Sequence, residues 1–103
     1  MTDKPKTFSE LIAGNKPVLI DFFAEWCGPC KMMKPELEKF KSQLGDKVKV
    51  IKIDIDKNQA MAGQYKIASV PTLMFFKNGQ IMWRQGGTCT SSQLLSVFNQ
   101  INR

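Results

Sequence analysis

Histidine is absent from the 103-residue sequence, and cysteine, arginine and tyrosine are sparse, numbering three, two and one. A structural zinc site takes four ligands, mostly thiolates and imidazoles, and three thiols without an imidazole do not supply them. No metal site is expected. Three cysteines are also an odd number and too few to staple a secreted scaffold, so a close pair reads as reactive rather than structural. No stretch approaches the ~20 consecutive apolar residues of a membrane span. The start, Met1-Thr2-Asp3-Lys4-Pro5-Lys6, has lysines but no apolar segment or small-residue cleavage site behind them. No signal peptide is visible, and a soluble, cytoplasmic protein without a membrane partner is expected. No repeat, low-complexity tract or linker interrupts the chain, which is expected to form one domain over residues 1–103.

What is present is an ordinary globular composition, 43% hydrophobic and 23% charged, with a net charge of +6. The excess comes from lysines scattered along the chain, since Arg84 and Arg103 are the only arginines and no basic run is interleaved with aromatics. That pattern argues against a nucleic-acid partner. The lysines read as solvated surface, with steering of an acidic partner as the second reading.

Thr7 or Ser9 is placed to cap a short helix that ends at Gly14-Asn15. Residues 18–24 are a near-continuous apolar run, as expected for a strand covered on both faces. Met33, Leu37, Phe40 and Leu44 then form one stripe on a helix that begins near Cys30 and ends at Gly45, with a kink expected at Pro35. Residues 47–55 alternate as a second strand, with Ile51, Ile53 and Ile55 on one face and Val48, Val50 and Lys52 on the other. A short helix fits 58–65. The turn Asn78-Gly79 joins strands 72–76 and 80–85, and Ser91 or Ser92 is placed to cap a closing helix striped by Leu94, Leu95, Phe98 and Ile101. The order α-β-α-β-α-β-β-α predicts an α/β sandwich with a mixed sheet of parallel and antiparallel strands.

Cys27 and Cys30 fall at the junction of the first strand and the long helix. Unpaired backbone N–H groups and the positive end of the helix dipole favour an anion there, so Cys27 is expected to be a stabilised thiolate. Cys30 lies within the first helical turn, close enough to close a disulfide with Cys27 and expected to be more enclosed, which makes it the resolving thiol. Pro29 suits a helix start because its missing N–H would be unpaired anyway, and Gly28 permits close approach of another chain. Haem attachment needs histidine after the second cysteine, where Lys31 stands. A low-pKa thiolate is both a nucleophile and a leaving group, as reversible disulfide exchange requires. Asp21 shares a strand face with Leu19 and Phe23, six residues before Cys27. Burial would raise its pKa toward neutrality, suiting proton acceptance and return; a hydrogen-bonded structural carboxylate is the alternative.

The sequence resembles the thioredoxin family in Asp21-Phe22-Phe23-Ala24-Glu25-Trp26-Cys27-Gly28-Pro29-Cys30-Lys31, Pro35, Val70-Pro71-Thr72, Phe76-Lys77-Asn78-Gly79 and Gly86-Gly87. The landmarks span Asp21 to Gly87, and the element order extends the likeness over nearly the whole chain. The resemblance implies the thioredoxin fold, with Asp21 as proton acceptor for Cys30 and Lys52 as the lysine that pairs with it; a surface lysine whose stem covers apolar groups is the alternative for Lys52. It implies that Val70-Pro71 is cis and faces the dithiol. Trp26, Val70, Thr72, Gly86 and Thr88 then outline a shallow groove around Cys27, Gly28 and Pro29 that takes an extended substrate strand. Phe23 departs from the second tryptophan of many members, and the N-terminal stretch is too short for their leading strand, so four strands are expected. Cys89 reads as a small packing residue, with a regulatory or dimer-forming thiol as the alternative.

The implied activity is reduction of protein disulfides by the Cys27–Cys30 pair, with no bound cofactor. The chain lacks a nucleotide-binding glycine motif, so the resemblance implies NADPH reducing equivalents delivered by a separate thioredoxin reductase. A monomer is expected. The rival readings are a disulfide oxidase or isomerase working at higher potential, and a redox-independent binding or assembly module.

Overall fold

The structure, a computed structural model, describes residues 7–103. The expectation of a leaderless start rests on residues 1–6 and lies outside the described residues. The elements are α1 (Phe8–Ile12), β1 (Val18–Phe23), α2 (Gly28–Leu44), a 3-10 turn (Gly45–Lys47), β2 (Lys49–Asp54), α3 (Gln59–Gln64), β3 (Thr72–Lys77), β4 (Gln80–Gly86) and α4 (Ser91–Ile101). The four strands lie in the order β2-β1-β3-β4, with β1 parallel to β2 and antiparallel to β3. This is the expected α/β sandwich with a mixed four-stranded sheet.

β1 is central, and its alternation divides the core. Val18, Ile20 and Phe22 pack with Ile12, Met74 and Phe76 on one face, supported by α1 and α3 side chains. Leu19 lies on the other face with Met33, Leu37 and Phe40 of α2 and Leu94 and Phe98 of α4. Asp21 and Phe23 share the face of Leu19 because strand side chains alternate with period two. The residue run that forms the strand therefore aims Asp21 at the helix that carries Cys30.

Turn and cap chemistry hold these elements in register. Thr7 closes a capping box with Glu10 at α1. Asn78 and Gly79 have φ values of 55° and 78°, the positive pair that a type I′ hairpin turn demands. A register shift between Phe75 and Phe76 bulges β4, since Phe75 stands opposite Trp83 while Phe76 stands opposite Ile81. Gly45, at φ 55°, ends α2 where an L side chain would be strained. Pro35 lies inside α2 and withholds one backbone donor.

The closing helix is capped by Thr90, not by Ser91 or Ser92. Thr90 accepts the Gln93 N–H at 3.1 Å, and Gln93 Oε1 accepts the Thr90 N–H at 2.9 Å. Ser91 is the first helical residue, its backbone N–H donating to Glu36 of α2 at 2.8 Å. Replacing Thr90 with Ala should cost about 1 kcal/mol in denaturant unfolding. Ser92→Ala, on exposed surface, should stay within about 0.5 kcal/mol of the parent.

Candidate active site

Cys27 is the N-cap of α2 and Cys30 lies in its first turn. Residue 27 keeps extended backbone angles, φ −88° and ψ 111°, which turns its side chain back over the helix start. Its Sγ accepts the Cys30 backbone N–H at 3.1 Å, taking one of the donors that a helix N-terminus leaves unpaired. The two cysteines form a disulfide across a Cα–Cα distance of 5.3 Å. Enclosure does not distinguish them as expected, because Cys27 and Cys30 are 4% and 5% exposed. Position distinguishes them instead: Cys27 Sγ lies 3.5 Å from the Val70 carbonyl oxygen, on the rim of the loop that precedes β3.

That loop carries Val70-Pro71, which is cis as the resemblance implied. It is pinned at both ends, since Thr72 Oγ1 donates to the Ser69 carbonyl at 2.7 Å and the Gly87 N–H donates to the Pro71 carbonyl at 2.8 Å. Gly87 makes this approach at φ 94°. Pro71 and Thr72 are buried, while Gly28, Pro29, Gly86 and Thr88 are exposed and Val70 is half-buried. A Cβ on Gly86 would stand 3.4 Å from Ser69 Oγ, in contact with the loop before β3.

Trp26 is 70% exposed, an uncommon state for so large an apolar ring. Its Nε1 donates to Asp56 Oδ2 at 2.8 Å. Asp56 is a residue that sequence reasoning missed. Asp54 Oδ1 in turn accepts the Asp56 N–H at 2.8 Å, an Asx turn that sets the loop after β2. The run Asp54-Ile55-Asp56 carried that turn signal, but nothing in the spacing tied it to residue 26.

Asp21 is fully buried, and neither carboxylate oxygen has a hydrogen-bond partner in the protein. The structural-carboxylate alternative required such partners. Burial pushes the pKa of Asp21 from 3.8 up to about 6, against a smaller downward pull from Lys52. Lys52 stands opposite Asp21 in the β1–β2 ladder. It makes no ion pair with Asp21; its ammonium instead sits 4.8 Å from the centre of the Phe23 ring, a cation–π contact. Phe23, in place of tryptophan, thus holds the lysine head outside, where it acts on Asp21 through its field alone. A cavity of about 280 Å³ joins Cys30, Phe23 and Lys52.

The strand-to-helix dithiol and the cis proline are those that the resemblance implied, and comparison with known proteins identifies the family. A family model described as Thioredoxin matches residues 1–100. The chain belongs to the thioredoxin family. A thioredoxin-like protein of Synechocystis sp. is 52% identical over 89 residues, covering 85% of this chain and 85% of that protein. Thioredoxin of Haemophilus influenzae is 41% identical over 92 residues, covering 89% of this chain and 86% of that protein. A solved mutant thioredoxin from Halobacterium salinarum matches with a TM-score of 0.84 at 35% identity, covering 92% of this chain and 82% of that one. This thioredoxin-family chain is accordingly a thiol–disulfide oxidoreductase, working by dithiol–disulfide exchange at Cys27–Cys30.

Cys89 is the remaining thiol. It is buried in the α2–α4 core with its N–H 3.3 Å from Met33 Sδ and its sulfur accepting from Gln85 Nε2 at 2.9 Å, and burial pushes its pKa up. These are the surroundings of a packing cysteine. Among the described residues no group of three or more metal-ligating side chains gathers, and no helix is long and apolar enough to cross a membrane.

The raised pKa of Asp21 has a definite sign in stability. Between the two pKa values the folded protein holds a proton that the unfolded chain has lost, so stability falls as pH rises from about 4 to about 6. The change from 3.8 to about 6 corresponds to about 3 kcal/mol. Asp21→Asn should therefore stabilise the protein by up to about 3 kcal/mol at pH ~8 and by almost nothing at pH ~3, read from urea unfolding at both pH values.

Proposed function

We propose that the chain reduces disulfides in other proteins, with Cys27 as nucleophile and Cys30 as resolving thiol. The Cys27 thiolate attacks one sulfur of a substrate disulfide, forming a mixed disulfide and releasing the other substrate sulfur as a thiol after it takes up a proton. Cys30 then gives its proton to Asp21 and attacks Cys27 Sγ, closing the intrachain disulfide. The second substrate thiolate leaves and recovers the proton from Asp21. The substrate gains two electrons and two protons; the Cys27–Cys30 pair supplies both electrons and the Cys30 proton, and solvent supplies the other proton.

The observation that carries this reading is the sulfur at the head of α2, where Cys27 Sγ accepts a backbone N–H at 3.1 Å. The same contact stabilises Cys27 as attacking thiolate and as leaving group. The full burial of Asp21, with its pKa near 6, supports a carboxylate that exchanges a proton close to neutral pH. Burial sets that pKa, and Lys52 tempers it from across the ladder.

In this proposal an extended substrate strand lies across Trp26, Gly28, Pro29, Val70, Pro71, Thr72, Gly86 and Thr88, pairing its backbone with the loop before β3. The exposure of Trp26 and the open space around Gly28 support that platform. NADPH, acting through a separate thioredoxin reductase, restores the dithiol. With one of three cysteines unpaired, the working place we propose is a reducing, cytoplasmic compartment, and the working unit a single-domain monomer.

Insulin-disulfide reduction coupled to a thioredoxin reductase tests the scheme. Cys27→Ser should bring turnover to background, and Cys30→Ser should accumulate mixed disulfide with the substrate. Undiminished turnover by Cys27→Ser would refute the assignment. Asp21→Asn should slow resolution of the mixed disulfide by on the order of a hundredfold and remove an ionisation near pH 6 from its rate profile.

A further inference from the structure

β2 is an edge strand, and the trough between it and α2 is open to solvent. A cavity of about 530 Å³ lies there, floored by Leu37 and Val50 and rimmed by Lys34, Lys41 and Lys52 with Glu38. The 280 Å³ cavity beside the disulfide shares Lys34 and Lys52 with it and adds Lys31 and Cys30. Together they form one track that starts at Cys30 and runs along the outside of α2.

The track has an excess of positive charge over an apolar floor. Lys31, Lys34 and Lys52 are exposed. Lys41 is fixed at the far end by donating to the carbonyls of Gly45 at 2.7 Å and Val48 at 2.6 Å. Against these four lysines stand Glu38 and Glu25, and Glu25 lies 3.9 Å from Lys57. The +6 net charge opposes a second copy of this chain as the occupant. The larger cavity has no aromatic side chain to stack a nucleic-acid base.

We propose that this trough docks an acidic segment, carrying an apolar side chain for the Leu37–Val50 floor, of the proteins whose disulfides the chain exchanges. The purpose of the docking rests on the exchange reaction above; the binding itself does not. Lysines around a desolvated floor select and orient the partner, and they steer its approach to Cys27. Lys34 is the central residue because both cavities share it, whereas the other shared lysine, Lys52, lies over the Phe23 ring.

The test is an NMR titration of the oxidised protein with a cysteine-free peptide of alternating glutamate and leucine. The expected result is saturable shifts at Lys34, Leu37 and Val50, with binding weakened about tenfold or more by Lys34→Glu, by replacing peptide glutamates with glutamine, or by raised salt. Shifts absent from this track, equal binding of the glutamine peptide, tighter binding of an oligouridine, or shifts that depend on protein concentration alone would overturn the proposal. Reduction of hydroxyethyl disulfide, a small neutral substrate, should be unchanged in Lys34→Glu. That readout separates a failure of docking from a failure of exchange.

Discussion

The first N–H groups of an α-helix have no partner within the helix, and at α2 one of them points at sulfur. Cys27 Sγ accepts the Cys30 N–H at 3.1 Å. This one contact requires that β1 end at Phe23, that residue 27 stay extended, and that α2 begin at Gly28. The apolar run of β1 and the Met33, Leu37 and Phe40 stripe enforce those limits by burying both elements against the same core. Fold and chemistry meet in the placement of one helix end.

The buried Asp21 is the opposite case, a group the fold tolerates rather than needs. A carboxylate without hydrogen bonds in the core destabilises the folded state at neutral pH, and most buried polar groups avoid that condition. Its neighbours moderate the cost only at a distance, since the Lys52 ammonium is drawn over Phe23 instead of to the carboxylate. In the proposed mechanism, proton exchange accounts for keeping such a group.

Much of this was legible in the sequence because it depends on short-range pattern. The apolar run at 18–24, the helical stripe from Met33 and the Asn78-Gly79 turn each dictate their element through local geometry, and the element order followed. The Cys-x-x-Cys at a strand-to-helix junction located the site. What was not legible depends on contacts between distant residues. The Ser91 N–H at the start of α4 is met by Glu36, 55 residues away. Asp56 meets Trp26 across 30 residues. Phe23 captures Lys52 through a ring face that no spacing rule describes, and the cis state of Val70-Pro71 came from family resemblance alone.

The central claim is that the head of α2 makes Cys27, and not its partner or Cys89, the reactive thiol. Limited alkylation of the fully reduced protein at about pH 6, mapped by mass spectrometry, tests it directly, because only a stabilised thiolate reacts quickly there. The account predicts modification at Cys27 first, faster than an ordinary peptide thiol, with Cys30 and Cys89 protected. Modification of Cys30 or Cys89 first, or Cys27 reacting no faster than a free peptide cysteine, would contradict it.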